Sequence, residues 1–251
     1  MSVFVLVHGA FHGRWCFRRL VSAIEARGHR AISIDLPGHG DDERDPATVT
    51  MADYVEAVSD TIKSVEHDNP FLVGHSMAGM VISQVAEAQA NRLAGMAYIA
   101  AYLPQSGESL MAIEARNPAP RMATAVTPAP DLSHVLINQE LAAPIFYNDC
   151  DDTDIRFCQD RLSTQPGAPF LTPVTLTEEQ FGSVPKGYFL CEKDLTIPTV
   201  LQEEMVARRN DVDVYRLASG HSPFLSQVDA LADGLVDYAR DVLVKSGREA
   251  A

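Results

Sequence analysis

The chain is short of positive charge. It carries 20 Lys and Arg against 34 Asp and Glu, a formal net charge of −14 over 251 residues. A surface of that sign repels phosphate backbones and anionic headgroups, so neither nucleic acid nor a membrane surface is expected as a partner. Cysteine is also scarce. Cys16, Cys150, Cys158 and Cys191 are the full set, and no two stand in a C-x-x-C pair. That spacing argues against a zinc site of paired cysteines and against a disulfide framework, and fits reduced, buried thiols. No apolar run is long enough to cross a bilayer. The opening MSVFVLVHGA has no basic stretch, and its apolar run is too short for a secretory leader. A cytoplasmic location is expected. No internal repeat occurs. What is present is 46% hydrophobic and 22% charged residues, a globular balance. The length suffices to bury a core without staples.

The apolar pattern switches between two periods. VFVLV reads as a buried strand, and AISIDL, PFLVG, LAGMAYIAA, GYFLC and VDVYRL read as further strands. Helical spacing fills the gaps at 15–27 (closed by Gly28), 51–65, 76–90, 198–209 and 224–244. Strand and helix in strict alternation predict an α/β protein. Its sheet is mostly parallel, with about six strands and helices on both faces. The alternation breaks over 104–177. That stretch is rich in proline, reads as strandless with scattered short helices, and is too long for a simple connection. It is expected to form an inserted cap or lid, leaving 1–103 and 178–251 as the core.

Gly-His-Ser occurs twice, in GHSMAG at 74–79 and in GHSPFL at 220–225. The first copy joins a strand to a helix. A serine on such a sharp turn lifts its hydroxyl clear of the sheet, which makes Ser76 a candidate nucleophile. The flanking positions must be small. Gly74 and Ala78 stand there, Ala78 replacing the second Gly of G-x-S-x-G, and Gly79 relieves part of the crowding. The N–H of Met77 lies at a helix N-terminus, where a developing oxyanion would find a donor. In the second copy Ser222 precedes Pro223, which has no N–H to offer. Ser222 is therefore expected to cap a helix that Pro223 opens. His221, on a loop after the last strand, is then the candidate base.

A carboxylate must orient that imidazole and stabilise its charged form. Asp194 follows the GYFLC strand and completes the order Ser76, Asp194, His221, that of the α/β-hydrolases. Glu192 abuts the strand, and Asp35 is out of chain order. The second oxyanion donor is expected after the first strand, with the N–H of Ala10 in LVHGAFHG the best candidate. His8 and His12 lie in the same loop, but it offers no Asp, Glu or Cys at ligand spacing, so no metal site is expected.

Taken together, FVLVHGAFHGRW, IDLPGHG, LVGHSMAGM, CEKDLTIP and GHSPFLS resemble the α/β-hydrolase superfamily. They are most similar to its branch of plant methylesterases, hydroxynitrile lyases and bacterial carboxylesterases, pyrethroid-hydrolase-like enzymes included. The resemblance implies Ser76 as nucleophile, His221 as base, Asp194 as orienter, and Ala10 and Met77 as oxyanion donors. It implies a serine hydrolase that cleaves small carboxylic esters through an acyl-enzyme, with no cofactor. A lactonase with the same triad, a hydroxynitrile lyase and a non-catalytic small-ligand receptor are the alternatives. The family's lyases carry Thr where this chain has Gly9, and Lys where it has Ser222, and a cyanide leaving group needs that cation. Phe11, Phe146, Tyr147 and Phe157 are candidates to line the pocket. The partner is a small ester or lactone, and assembly as a homodimer is left open.

Overall fold

The computed structural model describes residues 1–65 and 69–247. The chain runs β1 (Val3–Val7), α1 (Arg18–Ala26), β2 (Arg30–Ile34), α2 (Met51–Ser64), β3 (Phe71–His75), α3 (Ala78–Gln89) and β4 (Gly95–Ile99). An excursion follows: α4 (Leu110–Glu114), β5 (Val126–Pro128), β6 (His134–Ile137), α5 (Gln139–Phe146), α6 (Asp152–Gln159), β7 (Gln165–Pro166) and α7 (Ala168–Leu171). Alternation resumes with β8 (Lys186–Cys191), α8 (Thr199–Ala207), β9 (Val212–Leu217), α9 (Pro223–Ser226) and α10 (Val228–Lys245).

Six strands form one sheet in the order β2-β1-β3-β4-β8-β9, and every neighbouring pair is parallel. Side chains alternate across it, as the period of two requires. Val3, Val5, Val7, Leu72, Tyr98 and Leu190 share one core with α2, α3 and α8. Phe4, Leu6, Val73, Ile99 and Phe189 share the other with α1 and α10. Both faces of the four inner strands are therefore dry, which is why β1, β3, β4 and β8 read as nearly unbroken apolar runs. The chain leaves β1 for β2 on one side, while β3 lies on the other. The loops after β1 and β3 diverge there and open a crevice at the carboxyl edge of the sheet.

Two expectations need correction. The excursion is not strandless: β5, β6 and β7 pair antiparallel into a small second sheet. Its strands have only two to four residues and include Pro128 and Pro166, too short and too broken for a period to show. The expected helix over 224–244 is divided at Gln227, whose backbone (φ −134°, ψ 44°) is not helical.

Candidate active site

Ser76 follows β3 with φ of 54°, in the left-handed region. For a serine this costs roughly 1–2 kcal/mol, so the neighbours must hold it. Its N–H donates to the Ile99 carbonyl (3.2 Å), and its own carbonyl accepts from Gly79 and Tyr102 (3.1 Å each). The closest approach is at Gly79, where a Cβ would lie 2.0 Å from the Tyr102 carbonyl oxygen. Ala78 is accommodated, fully buried, with its carbonyl against Gly74. The turn thus depends most on Gly79, one residue beyond the glycine that the motif names. Met77 precedes α3 as its N-cap, among N–H groups that have no intrahelical partner.

Asp194 follows β8 and His221 follows β9. Nδ1 of His221 lies 2.8 Å from Oδ2 of Asp194, and both side chains are fully buried. A carboxylate only accepts, so Nδ1 carries a proton and Nε2 is the ring nitrogen left free for chemistry. The other Asp194 oxygen accepts the N–H groups of Thr196 (2.7 Å) and Ile197 (3.0 Å). Gln202 of α8 adds a longer bond to Oδ2 at 3.4 Å. These donors replace the water that the buried carboxyl has lost. Glu192 instead faces Arg216, and Asp35 accepts from the Arg14 N–H.

The Ser76 hydroxyl is not bonded to the base, since Nε2 of His221 is buried without a hydrogen-bond partner. The two Gly-His-Ser copies meet through their histidines. Nε2–H of His75 donates to the His221 carbonyl at 2.9 Å, and the ring centroids lie 4.6 Å apart. Burial holds the His75 pKa well below the ordinary value, so the ring is a neutral donor. The motif assigns His75 no chemistry, and it is a strut under the loop of His221. Ser222 is the N-cap of α9, as expected, but caps it without its side chain. Its Oγ is buried and unpartnered, and its carbonyl, accepting from Leu225 and Ser226, starts α9 instead. Pro223 is the first residue of that helix.

The loop after β1 packs directly on Ser76. A Cβ on Gly9 would lie 2.8 Å from Cβ of Ser76 and 2.9 Å from Nδ1 of His75. The Gly9 carbonyl accepts from Nδ1 of His8 at 2.8 Å and from the His12 N–H at 3.4 Å. In a trans peptide the N–H points the opposite way, so these bonds aim the Ala10 N–H away from His8. His8 accepts the Leu36 N–H on Nε2 (3.0 Å). His12 donates from Nδ1 to the Ala10 carbonyl (2.7 Å) and accepts the Tyr147 hydroxyl on Nε2 (2.8 Å). Burial drives their pKa values down to about 4 for His8 and about 3 for His12. Both rings are thus neutral and fully used in shaping the loop. Among the described residues no group of three or more His, Cys, Asp or Glu is placed to hold a metal ion.

The aromatic candidates separate. The Phe146 ring lies over His221 (5.7 Å, 21° between planes), with Phe11 6.4 Å away. Tyr147 stands behind His12. Phe157 lies elsewhere, clasped between the guanidinium groups of Arg18 (3.6 Å) and Arg161 (3.8 Å).

Similarity to known proteins agrees with this fold. A family model described as the alpha/beta hydrolase family matches residues 4–234. The chain belongs to that family. The family membership and the parallel six-stranded sheet are as the motifs led one to expect. Among solved structures, a pyrethroid hydrolase from Sphingobium faniae JZ-2 superimposes with a TM-score of 0.88 at 25% identity, over 95% of this chain and 97% of that one. An Arabidopsis thaliana relative with the name of a methylesterase is 28% identical over 94% of this chain, which spans 64% of that protein's length. The carbendazim hydrolyzing esterase of a Nocardioides species is 40% identical over 45% of this chain and 47% of its own. No helix of the described residues is long and apolar enough to cross a membrane.

Proposed function

We propose that this alpha/beta hydrolase cleaves small carboxylic esters, with Ser76 as nucleophile, His221 as general base and Asp194 as the carboxylate that orients it. One observation carries the proposal. The buried His221–Asp194 pair leaves a bare Nε2 in the crevice where Ser76 is held in a strained turn. Nε2 takes the Ser76 proton, and the alkoxide attacks the ester carbonyl. The N–H groups of Ala10 and Met77 receive the oxyanion, each worth on the order of 10²–10³ in rate. The alcohol leaves with the proton from His221, and water, activated by the same nitrogen, clears the acyl-enzyme. Relatives named as esterases and as a pyrethroid hydrolase support ester cleavage. A lactone presents the same reacting group and falls within the proposal. A cyanohydrin lyase does not, since Ser222 supplies no cation for a leaving cyanide.

In this reading residues 104–177 act as the lid. Ser76 is only 6% exposed and His221 is fully buried beneath Phe146, so an ester reaches them when α5 shifts. The catalytic assignment is tested by a fluorophosphonate probe and peptide mapping. One adduct per chain is expected, on Ser76. An adduct on Ser222, or none in folded protein, overturns it.

A further inference from the structure

The loop that carries Ala10 is held from outside the core. The peptide between Ala10 and Phe11 is gripped at both polar groups. Its carbonyl accepts from His12 Nδ1 at 2.7 Å, and His12 in turn accepts the Tyr147 hydroxyl at 2.8 Å. Its N–H donates to Oε1 of Gln165 at 3.2 Å. The next carbonyl, that of Phe11, accepts the Ser163 N–H at 3.0 Å. Tyr147, Ser163 and Gln165 all belong to the excursion between β4 and β8. Phe11 itself stands at φ 65°, a conformation that a phenylalanine keeps only when its surroundings impose it.

Gln165 is built for this task. It is fully buried, and its Nε2 donates to the Tyr54 hydroxyl (3.2 Å) and to the Pro166 carbonyl (3.0 Å). Those acceptors fix which end of the amide is the oxygen, and that oxygen faces the Phe11 N–H. Tyr54 lies on α2, so Gln165 bridges a core helix and the loop. His12 is equally constrained. Its Nδ1 must donate to the Ala10 carbonyl, and burial keeps the ring neutral, so Nε2 accepts the Tyr147 hydroxyl.

We propose that Gln165 and Tyr147 are positioning residues for the oxyanion hole, so that the Ala10 donor is aimed only while the excursion is seated on the loop. The proposal rests on the reading of Ala10 as an oxyanion donor. Displacing the excursion removes the acceptor of the Phe11 N–H and the partner of His12. Phe11 then relaxes from the left-handed region and turns the neighbouring Ala10. Catalytic competence and closure over the substrate become one event.

The test compares Gln165→Leu, Gln165→Glu and Tyr147→Phe with the native protein, using p-nitrophenyl acetate and a trifluoromethyl ketone that forms an oxyanion on the serine. Gln165→Glu keeps an acceptor for the Phe11 N–H, and Tyr147→Phe keeps the ring. Circular dichroism and thermal midpoints identify the folded variants. Gln165→Leu and Tyr147→Phe are expected to lose on the order of 10²-fold in kcat with KM little changed, and to weaken the ketone by a similar factor. Gln165→Glu is expected to recover part of the loss. Native kcat and native ketone affinity in the folded variants, or a loss confined to KM, overturn the proposal. Ser76→Ala runs beside them. If it stays active, the underlying catalytic reading fails. If it is inert while the positioning variants match the native protein, only this inference fails.

Discussion

Four buried histidines surround the crevice, and none is the proposed base. Burial lowers the pKa of His8 to about 4 and of His12 to about 3, and places His39 and His75 well below the ordinary value. The unfolded chain takes up protons near pH 6.5 that the folded chain refuses until much lower pH. Stability therefore rises with pH through the window between about 4 and about 6.5, and is lost on acidification through it. Each such histidine adds a slope of up to about 1.4 kcal/mol per pH unit. The urea midpoint should accordingly fall between pH 7 and pH 5, and His12→Gln should flatten the fall. A native midpoint that stays level over that range would contradict the neutral assignments. These roles were illegible in the sequence. Tyr147 and His12 stand 135 residues apart, and local spacing says nothing about a bond across that distance. Ser76, Asp194 and His221 were legible as candidates because each follows a strand and the three keep a known order.

At the scale of the element, the turn between β3 and α3 is tightly constrained. The motif pointed to Ala78 as the departure, yet the Tyr102 carbonyl would stand 2.0 Å from a Cβ on Gly79. That contact joins the turn to the segment after β4, which no local pattern could reveal. Gly79→Ala must push α3 and the Tyr102 backbone apart. A destabilisation of about 1–3 kcal/mol is expected, the range for an overpacked core. Chemical denaturation would measure it, and a variant as stable as the native protein would contradict the close approach. The four inner core strands, β1, β3, β4 and β8, were readable because each is buried on both faces. Those of the excursion were not, because two to four residues cannot display a period.

At the scale of the whole molecule, one sheet places the ends of β1, β3, β8 and β9 along a single edge, and each end carries a part of the proposed site. The switch in strand order beside β1 sets Gly9 against Ser76, and the final loop returns His221 to His75, the neighbour of Ser76. The two Gly-His-Ser copies become one assembly, with His75 supporting His221 and the remaining two side chains, Ser76 and Ser222, in different surroundings. The central claim is that Ser76 reacts and Ser222 does not. The most direct test is p-nitrophenyl acetate hydrolysis by the native protein, Ser76→Ala and Ser222→Ala, each confirmed as folded. Brisk native turnover, near-total loss in Ser76→Ala and most activity kept in Ser222→Ala are predicted. Activity retained in Ser76→Ala, or an equal collapse in Ser222→Ala, would contradict the account.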